Sequence, residues 1–194
     1  MFWKRKKSPE DILRDISMNI LVGANGCARD LSEFYSKMYN GEKKMSREQQ
    51  IEITSEIVYL FIHIFDVQMT LRVTSELSGK ILHQMVADCI PQVIKALDQM
   101  KPTPDTCLPG YYGIAFSRST YEQRTIQYRA YPRLWSYSNE DSVKDTLLWE
   151  FALRISILIS GERDGHIAIF LSGLLMIAMR LWIQDLDKVK RVTY

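Results

Sequence analysis

Apolar residues recur at steps of three and four along most of this chain, and that rhythm predicts helices. The first series is Ile12, Leu13, Ile16, Ile20, Ala24, Cys27, Leu31, Phe34, Tyr35 and Met38. It gives a helix with one buried face. Ser8-Pro9-Glu10-Asp11 supplies the start: Ser8 caps, Pro9 fits the first turn, and two acids meet the positive end of the helix dipole. Asn40-Gly41 supplies the stop. Gly23 and Gly26 each weaken the helix by about 1 kcal/mol relative to alanine. The run GANGCA therefore predicts a close helix crossing, with a kink as the alternative.

Ser46 with Gln49 forms a capping box for a second helix. Between Ile51 and Leu71 it is apolar on two sides. One row holds Ile53, Ile57, Leu60, Ile64, Val67 and Leu71, and the other Ile51, Val58, Phe61, Ile62, Phe65 and Met69. So wide an apolar surface predicts a central place in a bundle. What remains is a narrow polar stripe of Glu52, Glu56, Tyr59, His63, Asp66 and Thr70. After a turn placed near Val73–Gly79, a third helix runs through Leu77, Ile81, Met85, Val86, Ile90, Val93, Ile94 and Leu97. Pro91 falls inside it and predicts a kink or a division into two shorter helices.

Residues 101–110 hold three prolines and a glycine and read as a loop. In the block that follows, Ser119 and Glu122 predict a capping box for a short helix ending near Tyr131-Pro132. Residues 143–160 and 166–186 predict two further helices. The short turn Gly161–Gly165 between them requires antiparallel packing. Glu150 and Arg154 are spaced for an i,i+4 pair. No alternation of strand period runs longer than a few residues, and no repeat is present. The fold class is all-α: a single-domain bundle of five to seven helices over residues 1–194, with a long aromatic-rich connector. A basic-aromatic tip covers 1–7, a Pro/Gly/aromatic loop 101–118 and a basic tip 187–194.

The last helix raises the question of a membrane. Ile167–Met179 is apolar except for Ser172 and Gly173, but spanning hydrocarbon takes about 20 residues and a shorter run usually lies in a core. We expect a core helix and no transmembrane span.

Charge changes the picture at the ends. Net charge is +2, and Lys4–Lys7 with Lys188, Lys190 and Arg191 are seven cations. Taking those seven away leaves the body at −5. Phe2 and Trp3 with Lys4, Arg5, Lys6 and Lys7 suit a membrane interface, where rings sit at the headgroups and cations meet anionic lipid. Cys27, Cys89 and Cys107 are odd in number, far apart and without CxxC spacing. That pattern fits a reducing, cytoplasmic setting and excludes a disulfide scaffold or a thiolate zinc site.

Motifs for catalysis are missing: there is no GxGxxG, GxxxxGK[ST], HExxH or GxSxG. Glu52, Glu56, His63 and Asp66 lie on one helix face and are weak metal candidates, since a di-iron bundle needs Glu-x-x-His pairs and this chain has none. No cofactor is implied. His83 and His166 are isolated, His166 in a cap region, and Cys27 reads as a small hydrophobe.

The remaining feature is Tyr111–Tyr137. It carries six of the ten tyrosines, four arginines (118, 124, 129, 133) and one acid, Glu122. Tyr121, Arg124, Tyr128, Arg129, Arg133 and Trp135 are the candidate anion or partner surface, because Tyr, Trp and Arg dominate interface hot spots. Nucleic acid is disfavoured by the negative body. The sequence therefore points to a non-catalytic bundle acting through protein contacts, including self-association. The alternatives are a small-molecule, anion-binding or metal-dependent bundle enzyme, and a protein held at a membrane surface by its N-terminus.

Overall fold

The computed structural model describes residues 7–99, 116–131, 133–134 and 145–193. They form an all-α bundle. Helix α1 is Pro9–Met38 and α2 is Arg47–Thr70. Both start on reciprocal capping boxes. Ser8 Oγ accepts from the Asp11 N–H while Asp11 Oδ2 accepts from the Ser8 N–H, each at 3.1 Å. Ser46 and Gln49 repeat the device at 3.1 and 2.9 Å. Asn40 and Gly41 at φ 50 and 83 end α1.

Helix α3 (Ser75–Gln84) runs through a π-turn at Met85–Cys89 into α4 (Ile90–Gln99). Pro91 has no N–H to give and crowds the carbonyl one turn back, and the wider π-turn just before it accommodates both. The expected break is thus a bulge inside one continuous rod. The rod begins earlier than the spacing suggests, with Thr74 as cap, so Gly79 is helical.

Helix α5 is Arg118–Tyr128, α6 Leu147–Ser160, α7 Gly165–Ile183 and α8 Leu186–Thr193. The cap of α5 is Ser117, not Ser119: Ser117 Oγ accepts from Thr120 N–H, and its own N–H donates to Tyr59 Oη at 3.1 Å. That second bond ties the start of α5 to α2. The first amides of α6 donate to the carbonyls of Arg133 and Leu134 at 2.8 and 3.2 Å.

Helix α1 packs between α2 and α7, α6 folds back on α7, and α5 lies across α2. Three contacts show that α1 and α7 are antiparallel. Asn19 Nδ2 donates to the Leu181 carbonyl at 3.5 Å, Gly23 meets Ala178, and Phe34 stacks on Phe170 at 4.0 Å. A Cβ on Gly23 would stand 3.3 Å from Ala178 Cβ, so this glycine is the close crossing. Gly26 faces open space and has no such role. The core centres on Trp182, Phe61 and Phe65, with ring centroids 6.0 and 6.4 Å from the indole.

Residues 165–189 are long and apolar enough to cross a membrane by length and composition. In the bundle, Leu171, Leu175, Ala178 and Trp182 on this stretch turn into the core.

Candidate functional site

The middle of the polar stripe of α2, Glu56, Tyr59 and His63, is buried on the side where α5 packs, while Glu52 and Thr70 at its ends are exposed. Glu56 is at its centre, with a side chain only 8% exposed. A buried carboxylate needs matching charge, and it receives two guanidiniums. Arg124 of α5 donates through Nη2 to Oε1 at 2.6 Å and through Nε to both oxygens at 2.9 Å. Arg154 of α6 donates through Nη2 to Oε2 at 2.8 Å. Gln127 Oε1 accepts from Arg154 Nη1 at 3.0 Å, and Tyr128 Oη lies 3.4 Å from Arg154 Nη2. The arginine also covers the Tyr128 and Phe151 rings, at 5.7 and 5.5 Å. Burial pushes the Tyr128 hydroxyl far above its usual titration range. One glutamate thus joins three helices. A cleft of about 530 Å³ opens beside the junction, between Tyr128, Tyr131, Phe151, Arg154 and Arg163.

This geometry corrects two sequence expectations. Arg154 does not pair with Glu150 in i,i+4 register. Glu150 takes Arg163 instead, at 2.7 Å, which leaves Arg154 to Glu56. The metal candidates do not converge either. Glu56 is occupied by arginines, Glu52 is exposed, the His63 ring lies tilted against Tyr128 at 5.3 Å, and Asp66 lines a different cleft. Among the described residues no group of three His, Cys, Asp or Glu side chains is placed to hold a metal.

The other flank of α5 is less complete. A second cleft, about 450 Å³, lies between α2, α3 and α5, and includes Asp66, His83, Tyr121, Thr125 and Arg129. Tyr121 Oη and Thr125 Oγ1 are buried there without a hydrogen-bond partner, as is His63 Nδ1 nearby. Burial lifts the Tyr121 hydroxyl to about 12 and the Asp66 carboxyl above its ordinary value. Burial, aided by the Arg129 charge, lowers His63 to about 4.

Of the candidate arginine-tyrosine surface, Tyr121 and Tyr128 are 6% and 2% exposed, so neither is a surface residue. Arg124 is fixed on Glu56. Arg129 and Arg133 are exposed and make no ion pair among the described residues; Arg118, at the rim, pairs with Glu122 at 3.0 Å. Trp135 lies outside the described residues. So do Phe2, Trp3, Lys4, Arg5 and Lys6; Lys7 alone of that tip is described, exposed and paired with Asp15. Cys27 and Cys89 are buried, and burial raises the Cys27 thiol to about 12, as an inert core sulfur requires. Cys107 also lies outside the described residues. His166 sits beside the Asp164 cap of α7, its N–H donating to Oδ1 at 2.8 Å.

The surface that sequence reasoning missed is apolar. On α7, Ile169, Ile177 and Leu181 are 61%, 63% and 54% exposed. With Gly173 they form one i,i+4 row, opposite the row that ends in Trp182. On α1 the neighbouring row carries Val22, Gly26, Asp30, Phe34 and Met38. Gly26 and Gly173 both open onto free space. The run from Ile167 to Met179 signals an apolar helix; only the counting of two opposite rows signals an uncovered one.

Comparison of the chain with protein-family models, with curated proteins and with solved structures found no match.

Proposed function

We propose that this is a non-catalytic, cytoplasmic helical protein that works through protein contacts, with the outer row of α7 as its contact surface and a second copy of the chain as the partner. The observation that carries the reading is the exposure of Ile169, Ile177 and Leu181 on one helix face. Three large aliphatic side chains in a row on one helix face form a patch that burial against a partner would stabilise. Gly173 at the middle of the row and Gly26 beside it add no side chain, so another helix can approach to a short interaxial distance there. A two-fold contact crossing at Gly173 sets Ile177 of one copy against Ile169 of the other, a self-complementary arrangement. The arginine junction is a weaker candidate for such a surface, since both of its guanidiniums are already engaged by Glu56 inside the fold.

Sedimentation velocity on the full chain across a concentration series tests this reading. A concentration-dependent shift to dimer, lost in the Ile169→Glu/Ile177→Glu double variant, supports it. A wild-type chain that stays monomeric throughout the series would refute self-association.

A further inference from the structure

Two buried hydroxyls and two unpaired charges line the cleft between α2, α3 and α5. Asp66 and Arg129 both line it and do not meet as an ion pair. Tyr121 and Thr125, 94% and 93% buried, bring hydroxyls that have no hydrogen-bond partner beyond each other. A native fold leaves few such groups unsatisfied, and each costs free energy unless a ligand or water completes it. The cleft also has apolar walls, Leu82, Val86 and the 73%-exposed Ile126, so it is not simply a wet gap. Exposed Gly79 is also in its lining, and a Cβ there would meet nothing within 4 Å.

We infer that this cleft binds a small zwitterion, an amino acid with an apolar side chain. Asp66 takes the ammonium group and Arg129 the carboxylate. The Tyr121 and Thr125 hydroxyls stand nearest the polar end, and Leu82, Val86 and Ile126 cover the side chain. Arg118 and Glu122, also in the lining, pair with each other at 3.0 Å, so Asp66 and Arg129 are the opposite charges left to select a molecule that carries both charges on neighbouring atoms. A bare anion would satisfy Arg129 but repel Asp66, and a bare cation would do the reverse. A metal ion is a poorer occupant, because Asp66, His83 and Glu122 line the cleft but are not grouped to hold one. The inference is independent of self-association, which uses the far side of the bundle.

Calorimetric titration of the full chain with each of the common amino acids tests it. The expected result is saturable binding of at least one apolar amino acid. Asp66→Asn and Arg129→Gln should each weaken that binding by about tenfold or more, the cost of losing a charge-assisted hydrogen bond. N-acetylation or esterification of the ligand should weaken it comparably. Gly79→Leu serves as a second variant that leaves every charged group in place. It puts a good helix former at an unobstructed helical site, so folding is retained while the cleft is filled. Binding should then be lost, with an unchanged helical circular dichroism spectrum. The inference is overturned if no amino acid binds, if Gly79→Leu binds like the wild type, or if the acetylated ligand binds as tightly as the zwitterion.

Discussion

The Glu56 junction and the outer row of α7 invert the usual arrangement in opposite ways. One places charge inside, the other places large aliphatic side chains outside. At the junction every charged group is engaged, since one carboxylate is shared by Arg124 and Arg154 and the second arginine also reaches Gln127 and Tyr128. On α7 nothing covers Ile169, Ile177 or Leu181 among the described residues. The contrast teaches that an unusual location is informative only once its partners are counted. Matched groups inside explain how the fold holds; unmatched groups outside are where further contact lowers free energy.

Substitution on the two faces of α7 should break the contrast most sharply. Trp182→Ala removes a fully buried indole from between Phe61 and Phe65 and should cost about 4 kcal/mol of unfolding free energy in urea. Ile177→Glu on the opposite face should change monomer stability by no more than about 0.5 kcal/mol. Equal losses from the two would mean that the outer row is packed after all.

The junction itself should come next. Glu56→Ala strands two half-buried guanidiniums against each other and should cost about 3 kcal/mol, whereas Arg154→Met alone leaves Glu56 with its Arg124 fork and should cost less. In a double-mutant cycle the Glu56 and Arg154 losses should fall well short of additive.

A smaller effect should appear with pH. His63 titrates near 4 in the folded chain against an ordinary 6.5, because burial disfavours its charged form. The unfolded chain therefore binds this proton first as pH falls. The stabilising contribution is complete above about 6.5, declines as pH drops from 6.5 towards 4, and changes no further below that. His63→Phe should flatten that part of the stability-versus-pH curve. A curve identical to wild type would mean that His63 is not held neutral.

The smallest effect concerns the two glycines of α1. Gly26→Ala should raise monomer stability by up to about 1 kcal/mol, because the added methyl meets open space. Gly23→Ala should give no such gain, since its methyl would press on Ala178 at 3.3 Å.

The sequence made the long elements legible because their signals are local. Ser8, Ser46 and Gln49 cap as their spacing indicates, Asn40-Gly41 stops α1, and most of the wide apolar surface of α2 lies in the core, though Leu71 at its end is 75% exposed. The junction was not legible, because Glu56 and its arginines are 68 and 98 residues apart and a nearer acid, Glu150, offered Arg154 a plausible local partner. For the same reason nothing within α2 records that α5 covers the middle of its polar stripe. The Ser119–Glu122 spacing points to Ser119 as the cap, but Ser117, whose N–H is held by Tyr59 Oη, starts the helix. Asp66 and Arg129 face one cleft only because α5 crosses α2, a relation that no spacing within either helix carries.

The most direct test is sedimentation equilibrium of the wild-type chain beside the Ile169→Glu/Ile177→Glu variant. The proposed α7 contact requires a wild-type dimer and a variant whose dissociation constant is higher by about thirtyfold or more, as loss of an interface hot spot gives. Equal monomer masses for both chains over the whole concentration range would contradict it.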